Sequence, residues 1–284
     1  MTGEFEPGVP HSLSKRVRRI TAPNPGVMTG PGTNTYLLGS EDVAVLDPGP
    51  LIDSHVEAIL AAGAGRIRWI VATHTHPDHS PAWSPLKEAT GAQVIGARPW
   101  DDMFQDDTFA PDTAVTHDQV LATSEFTLRA VHTPGHVGNH YCFFLEEEGM
   151  LFTGDHIMSG STVVIVPPSG DMKLYIESLE LLRSYPLQSM APGHGALIEE
   201  PEATVDWLIG HRLKREAKVL AGLGQLGTAD LDALVKVVYD DVDPDIHHMA
   251  KLSLTAHLIK LEQEHRAGRN VDDQWSLQGA GRPG

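Results

Sequence analysis

Three histidines and an aspartate stand close together in the run THTHPDHS, residues 73–80. An apolar run precedes them, and strand alternation would point the side chains of His74 and His76 to the same side. The proline that follows fits the start of a turn or helix, so Asp78 and His79 would approach the same pocket from the other direction. Imidazole and carboxylate groups are ligands that zinc takes in hydrolytic enzymes. The run therefore predicts a metal site.

Further ligand types occur at strand ends later in the chain. His136 in HTPGH follows an apolar run, as do Asp155 in FTGDH and His194 in APGHG. A glycine stands next to or near each of them, as expected where the backbone must pack tightly against a site. A site for two metal ions needs about six or seven ligands. Together with the histidine run, these residues supply that number.

The elements that must position these residues can be read from hydrophobic periodicity. Short β-rich runs end in turn signals over the first two hundred residues, at 34–39, 43–50, 67–74, 127–135, 140–145, 150–155 and 161–168. Helical spacing interrupts them at 53–63, after His79 and at 175–185. Strands interleaved with helices predict a layered α/β body whose site lies along one edge of its sheets.

The hydrophobic pattern of the sequence changes near residue 205 and becomes almost entirely that of helices. We therefore predict a catalytic domain over 1–204, a small helical module over 205–268 and a disordered tail over 269–284.

Composition limits the classes of protein that fit. The chain has 284 residues and a formal net charge of -17, so it would repel bulk nucleic acid unless a local basic site or metal attracts it. No run of eighteen apolar residues occurs, and the first residues lack a basic and an apolar signal region, so we expect a cytoplasmic protein without a membrane partner. The single cysteine, Cys142, is interpreted as a packed strand residue.

The motifs HTHPDH, HTPGH, GD and PGH, in that order, resemble those of the metallo-beta-lactamase-fold hydrolases over roughly residues 18–200. This resemblance implies an αββα sandwich with a site for two zinc ions between its sheets. It implies the following ligands: His74, His76 and His136 on one zinc, Asp78, His79 and His194 on the other, and Asp155 bridging both. Asp47, in VLDPGP, would orient one of the ligands.

Within that superfamily the chain is similar to the branch of beta-lactamase-like protein two. NPGVMTGPGTNTYLLG, YIESLELL, the His140 that follows HTPGH and the C-terminal helical sequence carry this similarity to about residue 267. It implies a winged-helix-like module and cleavage of single-stranded RNA. His140 itself is expected to lie beside a ligand or to face the substrate. The run SPAWSPL after the ligands departs from that branch, which has a small glycine-containing turn there.

The expected function is that of a binuclear zinc hydrolase whose nucleophile is a hydroxide bridging the metals. Asp155 would hold that hydroxide, and Asp78 would relay a proton to the leaving group. The substrate would be single-stranded RNA. The alternative is a small molecule with a thioester or lactone bond, as in hydroxyacylglutathione hydrolases.

Two interpretations from other classes are weighed against this one. The first is a mononuclear iron persulfide dioxygenase on the same fold, in which two histidines and the aspartate form a facial triad. The second is a binding module with structural metals. A homo-oligomer is compatible with the extra helical module.

Overall fold

The computed structural model describes residues 3–100, 102 and 104–278. The chain forms two compact units. The first contains the described residues up to 133 together with 139–163 and 185–201. The second contains 134–138, 164–184 and the described residues from 202 onwards.

A seven-stranded sheet forms the first half of the first unit. Its strands follow one another in chain order: β1 (His11–Ser12), β2 (Val17–Thr21), β3 (Asn34–Leu38), β4 (Val43–Leu46), β5 (Ile67–Val71), β6 (Gln93–Gly96) and β7 (Thr113–Ala114). Pairing is antiparallel from β1 to β4 and parallel from β4 to β7. The parallel part needs crossovers, and helices α1 (Asp53–Gly63) and α2 (Trp83–Thr90) provide two of them.

A five-stranded sheet forms the second half of this unit. Its strands are β8 (Val120–Ala122), β9 (Thr127–His132), β10 (Tyr141–Leu145), β11 (Met150–Gly154) and β12 (Ser189–Pro192), in the order β12-β11-β10-β9-β8. All neighbours are antiparallel except β11 and β12, which are parallel.

The core of the first unit lies between these two sheets. Leu46 and Val71 of the first sheet belong to the same buried cluster as Phe143 and Phe152 of the second. The Tyr36 and Phe152 rings meet across the interface with centroids 5.0 Å apart. A separate cluster, which includes Ile59 of α1, Leu86 of α2 and Ile70 of β5, covers the first sheet's other face. The predicted layered α/β architecture with two facing sheets is confirmed.

The second unit is helical with a small sheet. Its elements are α3 (Met172–Leu182), α4 (Pro201–Leu226), β13 (Thr228–Ala229), α5 (Leu231–Val238), a 3₁₀ turn (Pro244–Ile246), α6 (His247–Gln263), β14 (Ala267–Arg269) and β15 (Trp275–Leu277). The strands pair in the order β13-β15-β14. Asp230 begins α5 by accepting a hydrogen bond from the Ala233 amide at 2.8 Å. Leu223, Leu258 and Trp275 contribute to one buried core.

The structure differs from the predicted organisation in three places. Residues 161–168 form no strand; they show only an isolated bridge between Met158 and Ser161, and prolines at 167 and 168 lack amide donors. The tail expected to be disordered contributes β15, because Trp275 is buried in the second core. Residues 279–284 of that tail lie outside the described residues.

The third difference concerns the division at residue 204. Residues 134–138 and 164–184 group with the C-terminal part. The Ser178 hydroxyl donates to the Pro134 carbonyl oxygen at 2.8 Å within that group. Among the described residues, no helix combines the length and apolar character required to cross a bilayer.

Candidate metal centre

The ligand run begins just beyond the carboxyl end of β5. The Nε2 atom of His74 lies 3.0 Å from Nδ1 of His76. A turn follows, in which the His79 amide donates to the His76 carbonyl oxygen at 3.0 Å. This turn reverses the chain, so the second pair of predicted ligands faces the first.

Asp78, His79 and His194 form one group of potential ligands, whose ligand atoms all lie within 4.8 Å of one another. Nε2 of His194 is 3.2 Å from Oδ2 of Asp78. The Nδ1 atom of His194 faces the Gly32 carbonyl oxygen at 3.4 Å, which directs Nε2 into the group. Residue 193 must be glycine here, because a Cβ atom on it would lie 2.6 Å from Cε1 of His79.

Asp155 connects this group to His74 and His76. Its ligand oxygen lies within 4.8 Å of ligand atoms of both histidines. The same residue's Oδ1 lies 3.3 Å from Nε2 of His79 and 3.3 Å from Nε2 of His194. A carboxylate within reach of two groups of ligands has the position of a bridge.

The end of β11 determines where Asp155 can stand. Gly154 adopts a positive φ of 47°, and a Cβ atom there would lie 2.5 Å from Oγ1 of Thr73 and 2.7 Å from Nε2 of His140. Only glycine allows this close approach, so the strand can turn sharply and deliver the aspartate into the cluster.

His136, the remaining predicted ligand, lies in the segment 134–138 of the second unit and is half-buried. Its Nδ1 atom faces the Val164 carbonyl oxygen at 2.9 Å. This contact fixes the ring and makes Nε2 the nitrogen that would bind a metal ion.

Asp47 lies behind His79, on the side away from the other ligands. Its carboxylate accepts hydrogen bonds from the Thr73 amide at 2.7 Å and the Thr73 hydroxyl at 2.9 Å. The same carboxylate faces Nδ1 of His79 at 3.0 Å. Nδ1 therefore carries the proton and donates it to Asp47, which presents Nε2 of His79 to the site.

His140 is fully buried and does not reach the surface of the site. Its Nδ1 pairs with the Thr133 hydroxyl at 2.9 Å, and its Nε2 accepts a hydrogen bond from the Asp155 amide at 3.2 Å. Of the two roles expected for this residue, a place beside a ligand fits the geometry and a place facing the substrate does not.

Carboxylates and imidazoles in the site shift one another's pKa values. Burial raises the pKa of Asp155, but the His194 and His79 rings outweigh burial and hold this pKa well below its usual range. Burial lowers the pKa of His194, yet Asp155 and Asp78 together raise it to about 9. His74 lies against other imidazoles, and burial with these neighbours keeps its pKa well below the ordinary value. The carboxylates thus attract positive charge, and His74 stays neutral.

Several buried polar residues that contact the ligand run carry no recognisable motif in the sequence. They are Gln105, Asp106 and Asn139, which form hydrogen bonds with Thr75 and Ser80 of the run. A short run of polar residues before an apolar one, as in QDDTF, is too common to single out. Only the folded chain reveals that these residues meet.

The donor set fits a divalent transition metal ion. The ligand atoms that gather in the first unit are imidazole nitrogens and carboxylate oxygens, the combination that zinc and its neighbours accept. Asp78, the carboxylate of the second group, is 27 % exposed, whereas His79 is fully buried. The cluster can therefore hold a metal ion and still admit a substrate from the Asp78 side.

Comparison with known proteins places this geometry in a family. The model of the metallo-beta-lactamase superfamily matches residues 28–194, and that of the beta-lactamase associated winged helix domain matches residues 231–275. The chain is thus similar to a two-part protein with a C-terminal winged helix.

Individual relatives agree with the family models. A beta-lactamase-like protein 2 homolog of Drosophila melanogaster is 34 % identical, over 93 % of this chain and 94 % of its own length. An atrochrysone carboxyl ACP thioesterase of Aspergillus fumigatus is 31 % identical, over 82 % of this chain and 76 % of its own. A beta-lactamase domain protein from Burkholderia ambifaria shares the fold, with a TM-score of 0.81, 18 % identity and coverage of 97 % and 96 % of the two chains. This chain therefore belongs to the metallo-beta-lactamase superfamily and is a metal-dependent hydrolase.

Proposed function

We propose that the chain is a two-zinc hydrolase that cleaves a thioester bond. The position of Asp155, within reach of both groups of ligands, is the observation that carries the two-ion part of this proposal. Zinc ions held there would supply Lewis acidity toward a substrate oxygen and would activate water at neutral pH. The complete set formed by Asp78, His79 and His194 favours two ions over the single iron of a persulfide dioxygenase.

His136 is proposed as the third histidine ligand of the first ion, beside His74 and His76. The contact of its Nδ1 with the Val164 carbonyl oxygen supports this role, because it leads to the same nitrogen arrangement that Asp47 imposes on His79. Neutral imidazoles with one nitrogen held by an acceptor are the usual form of histidine ligands.

The chain's own carboxylates have separate tasks in the proposed reaction. Asp155, whose side chain is only 12 % exposed, would hold the attacking water. Asp78 is 27 % exposed and would take a proton from that water and pass it to the leaving group. Asp47 and His140 would keep His79 and Asp155 in place.

A loop beside the site supports an apolar substrate group. Val27 is fully exposed and Met28 is 52 % exposed, although both are apolar. Their loop ends at Gly32 and Thr33, of which the first contacts His194 and the second faces Asp78 at 3.5 Å. Exposed apolar side chains next to a site suit an acyl group.

Charge and similarity favour the same substrate class. The net charge of -17 disfavours a long polyanion. The thioesterase relative from Aspergillus fumigatus supports a thioester.

Single-stranded RNA is a second candidate because of the winged-helix match at residues 231–275. A two-ion site could hold a scissile phosphodiester as well as a thioester. In that case the winged-helix module would help to hold the strand.

The test compares two substrates on zinc-loaded protein, with Asp155→Ala prepared in parallel. Release of free thiol from an aromatic acyl thioester of N-acetylcysteamine is expected for the wild type and not for the variant. Cleavage of a fluorescent single-stranded RNA alone, lost in the same variant, would replace the thioester with the second candidate. Turnover of neither substrate by protein that contains its zinc would contradict both.

A further inference from the structure

Two consecutive buried residues, Gln105 and Asp106, hold the ligand run from outside; we refer to this pair as the clamp. The Thr75 hydroxyl donates a short hydrogen bond to Oε1 of Gln105. The Asp106 amide donates to the Thr75 carbonyl oxygen at 2.6 Å, and the Ser80 hydroxyl donates to Oδ2 of Asp106 at 2.7 Å. Asp106 therefore contacts the run near its start, at Thr75, and at its end, at Ser80.

Thr75 and Ser80 enclose most of the ligands in this run. Thr75 stands between His74 and His76, and Ser80 comes directly after His79. Thr75 and Ser80 belong to neither group of ligands described above. Hydrogen bonds that join the clamp to Thr75 and Ser80 therefore act on the spacing of the ligands through the backbone that joins these two residues.

Burial makes these hydrogen bonds strong restraints. Thr75 and Ser80 are fully buried, and Gln105 and Asp106 are each only 8 % exposed. Water cannot readily replace a hydrogen bond there, so the loss of one partner leaves the other unsatisfied.

The clamp is itself anchored on two sides. The other carboxylate oxygen of Asp106 accepts from the Thr108 amide at 3.0 Å, which fixes the orientation of the carboxylate. Nδ2 of Asn139 lies 2.7 Å from Oγ1 of Thr75 and 3.2 Å from Oε1 of Gln105. Asn139 thereby joins the clamp to the chain that enters β10.

We infer that Gln105 and Asp106 are positioning residues that set the distance between the two groups of metal ligands. Asp106 connects the start of the run, where His74 and His76 lie, with its end, where His79 lies. Ligand geometry within a fraction of an ångström decides metal affinity and reactivity, and residues that hold ligands in place typically contribute 10- to 100-fold to either. This inference rests on the proposed metal site.

The test removes the contact between Asp106 and Ser80 from each side. The variants are Asp106→Ala, Ser80→Ala, the double variant and the conservative Asp106→Asn, whose amide can still bond to Ser80. Asp112→Ala is the matched control, since Asp112 accepts from Lys87 Nζ at 2.6 Å and the Val94 amide at 2.9 Å but has no contact with the run. Zinc affinity is measured by competition with a chelator, and ligand geometry by the visible spectrum of the cobalt(II) form.

We expect Asp106→Ala to weaken zinc binding by about 10- to 100-fold and to change the cobalt spectrum. The conservative Asp106→Asn variant should recover most of the loss, the double variant should be no weaker than Asp106→Ala, and the Asp112→Ala control should match the wild type. In turnover, kcat should fall while KM stays near the wild-type value. If Asp106→Ala does not fold, Ser80→Ala, which removes one hydroxyl, decides the matter in the same two measurements.

Two failures can be told apart. Wild-type zinc affinity and an unchanged cobalt spectrum in folded Asp106→Ala and Ser80→Ala would overturn the role of the clamp and leave the metal site standing. Absence of zinc binding by the wild type would overturn the proposed function, and the inference with it.

Discussion

Asp47 has a left-handed backbone with a φ of 50°, a conformation that asparagine and aspartate adopt more readily than other residues with a Cβ atom. That backbone turns its carboxylate toward Thr73 and Nδ1 of His79 at once. One side chain thus fixes both the start of the ligand run and the tautomer of a ligand. At the scale of single residues, the contact between Asp47 and His79 thus determines which nitrogen of the ring is available to a metal ion.

Replacement of Asp47 by asparagine tests the contact between Asp47 and His79. The Asp47→Asn variant would keep the backbone conformation, but its side-chain amide would meet Nδ1 of His79 with a weaker acceptor or with a donor. We expect zinc affinity to fall by about 10- to 100-fold, measured by chelator competition. Asp118→Asn is the control, because Asp118 also has a positive φ, of 63°, and its side chain is 58 % exposed. Equal affinities in Asp47→Asn and the wild type would contradict the role of Asp47.

His55 makes the stability of the first unit depend on pH. It is fully buried against the Thr35 hydroxyl, and burial outweighs a hydrogen bond to Pro48 and lowers its pKa from 6.5 to about 4. The unfolded chain then binds the proton more tightly, so the contribution of this residue is complete above pH 6.5 and is lost as the pH falls toward 4.

We expect His55→Gln to reduce the loss of unfolding free energy between pH 7 and pH 4 by up to about 3 kcal/mol. Chemical denaturation of both proteins across this range gives the two curves. An equal loss of unfolding free energy in the two proteins between pH 7 and pH 4 would show that His55 does not cause the pH dependence.

The types of the site residues could be predicted from the sequence, but their surroundings could not. Histidine, aspartate and glycine at strand ends are readable because metal chemistry demands those types. His140 has the same type and a similar position, yet the fold buries it beneath Asp155. Gln105 and Asp106 were not predicted, because glutamine and aspartate are common residue types and only their contacts with Thr75 and Ser80 place them beside the ligands.

At the scale of elements, the turn at the end of β11 matters most for the site. Gly154 has both a positive φ and close neighbours, whereas Gly160 has a φ of 69° with nothing near its missing Cβ atom. These two glycines separate the cost of the backbone conformation from the cost of crowding.

Gly160→Ala should lower the unfolding free energy by about 1–2 kcal/mol, the cost of a left-handed residue. Gly154→Ala should lower it by about 1–3 kcal/mol more, because its Cβ atom would press on Thr73 and His140. Denaturant unfolding compares the two variants. Equal losses would mean that the turn has room for a side chain and that glycine is not required there.

Elements with clear periodicity were predictable, and elements defined by partners were not. The prediction of a helix over 53–63 is confirmed, because its apolar residues recur on one face and the backbone hydrogen bonds of a helix form within the segment itself. Residues 161–168 have the residue types of a strand, yet no neighbouring strand pairs with them among the described residues. Strands of two or three residues, such as β13 and β15, are too short to show a period.

At the scale of the whole molecule, one buried side chain of the second unit, outside the site, is expected to contribute strongly to the free energy of unfolding. Trp275 is 2 % exposed and belongs to the same buried cluster as Leu223 and Leu258. We expect Trp275→Ala to lower the unfolding free energy by about 3–5 kcal/mol.

Trp207→Ala is the control, since Trp207 is 52 % exposed and should change stability by less than about 0.5 kcal/mol. Denaturant unfolding followed by circular dichroism measures both. Similar small losses in the two variants would contradict an ordered C-terminal strand.

The zinc content of the purified, zinc-reconstituted wild-type protein tests the central claim most directly. After removal of loosely bound metal, elemental analysis should give two zinc ions per chain, because two groups of ligands share Asp155. One ion or none per chain in folded protein would contradict the two-ion site.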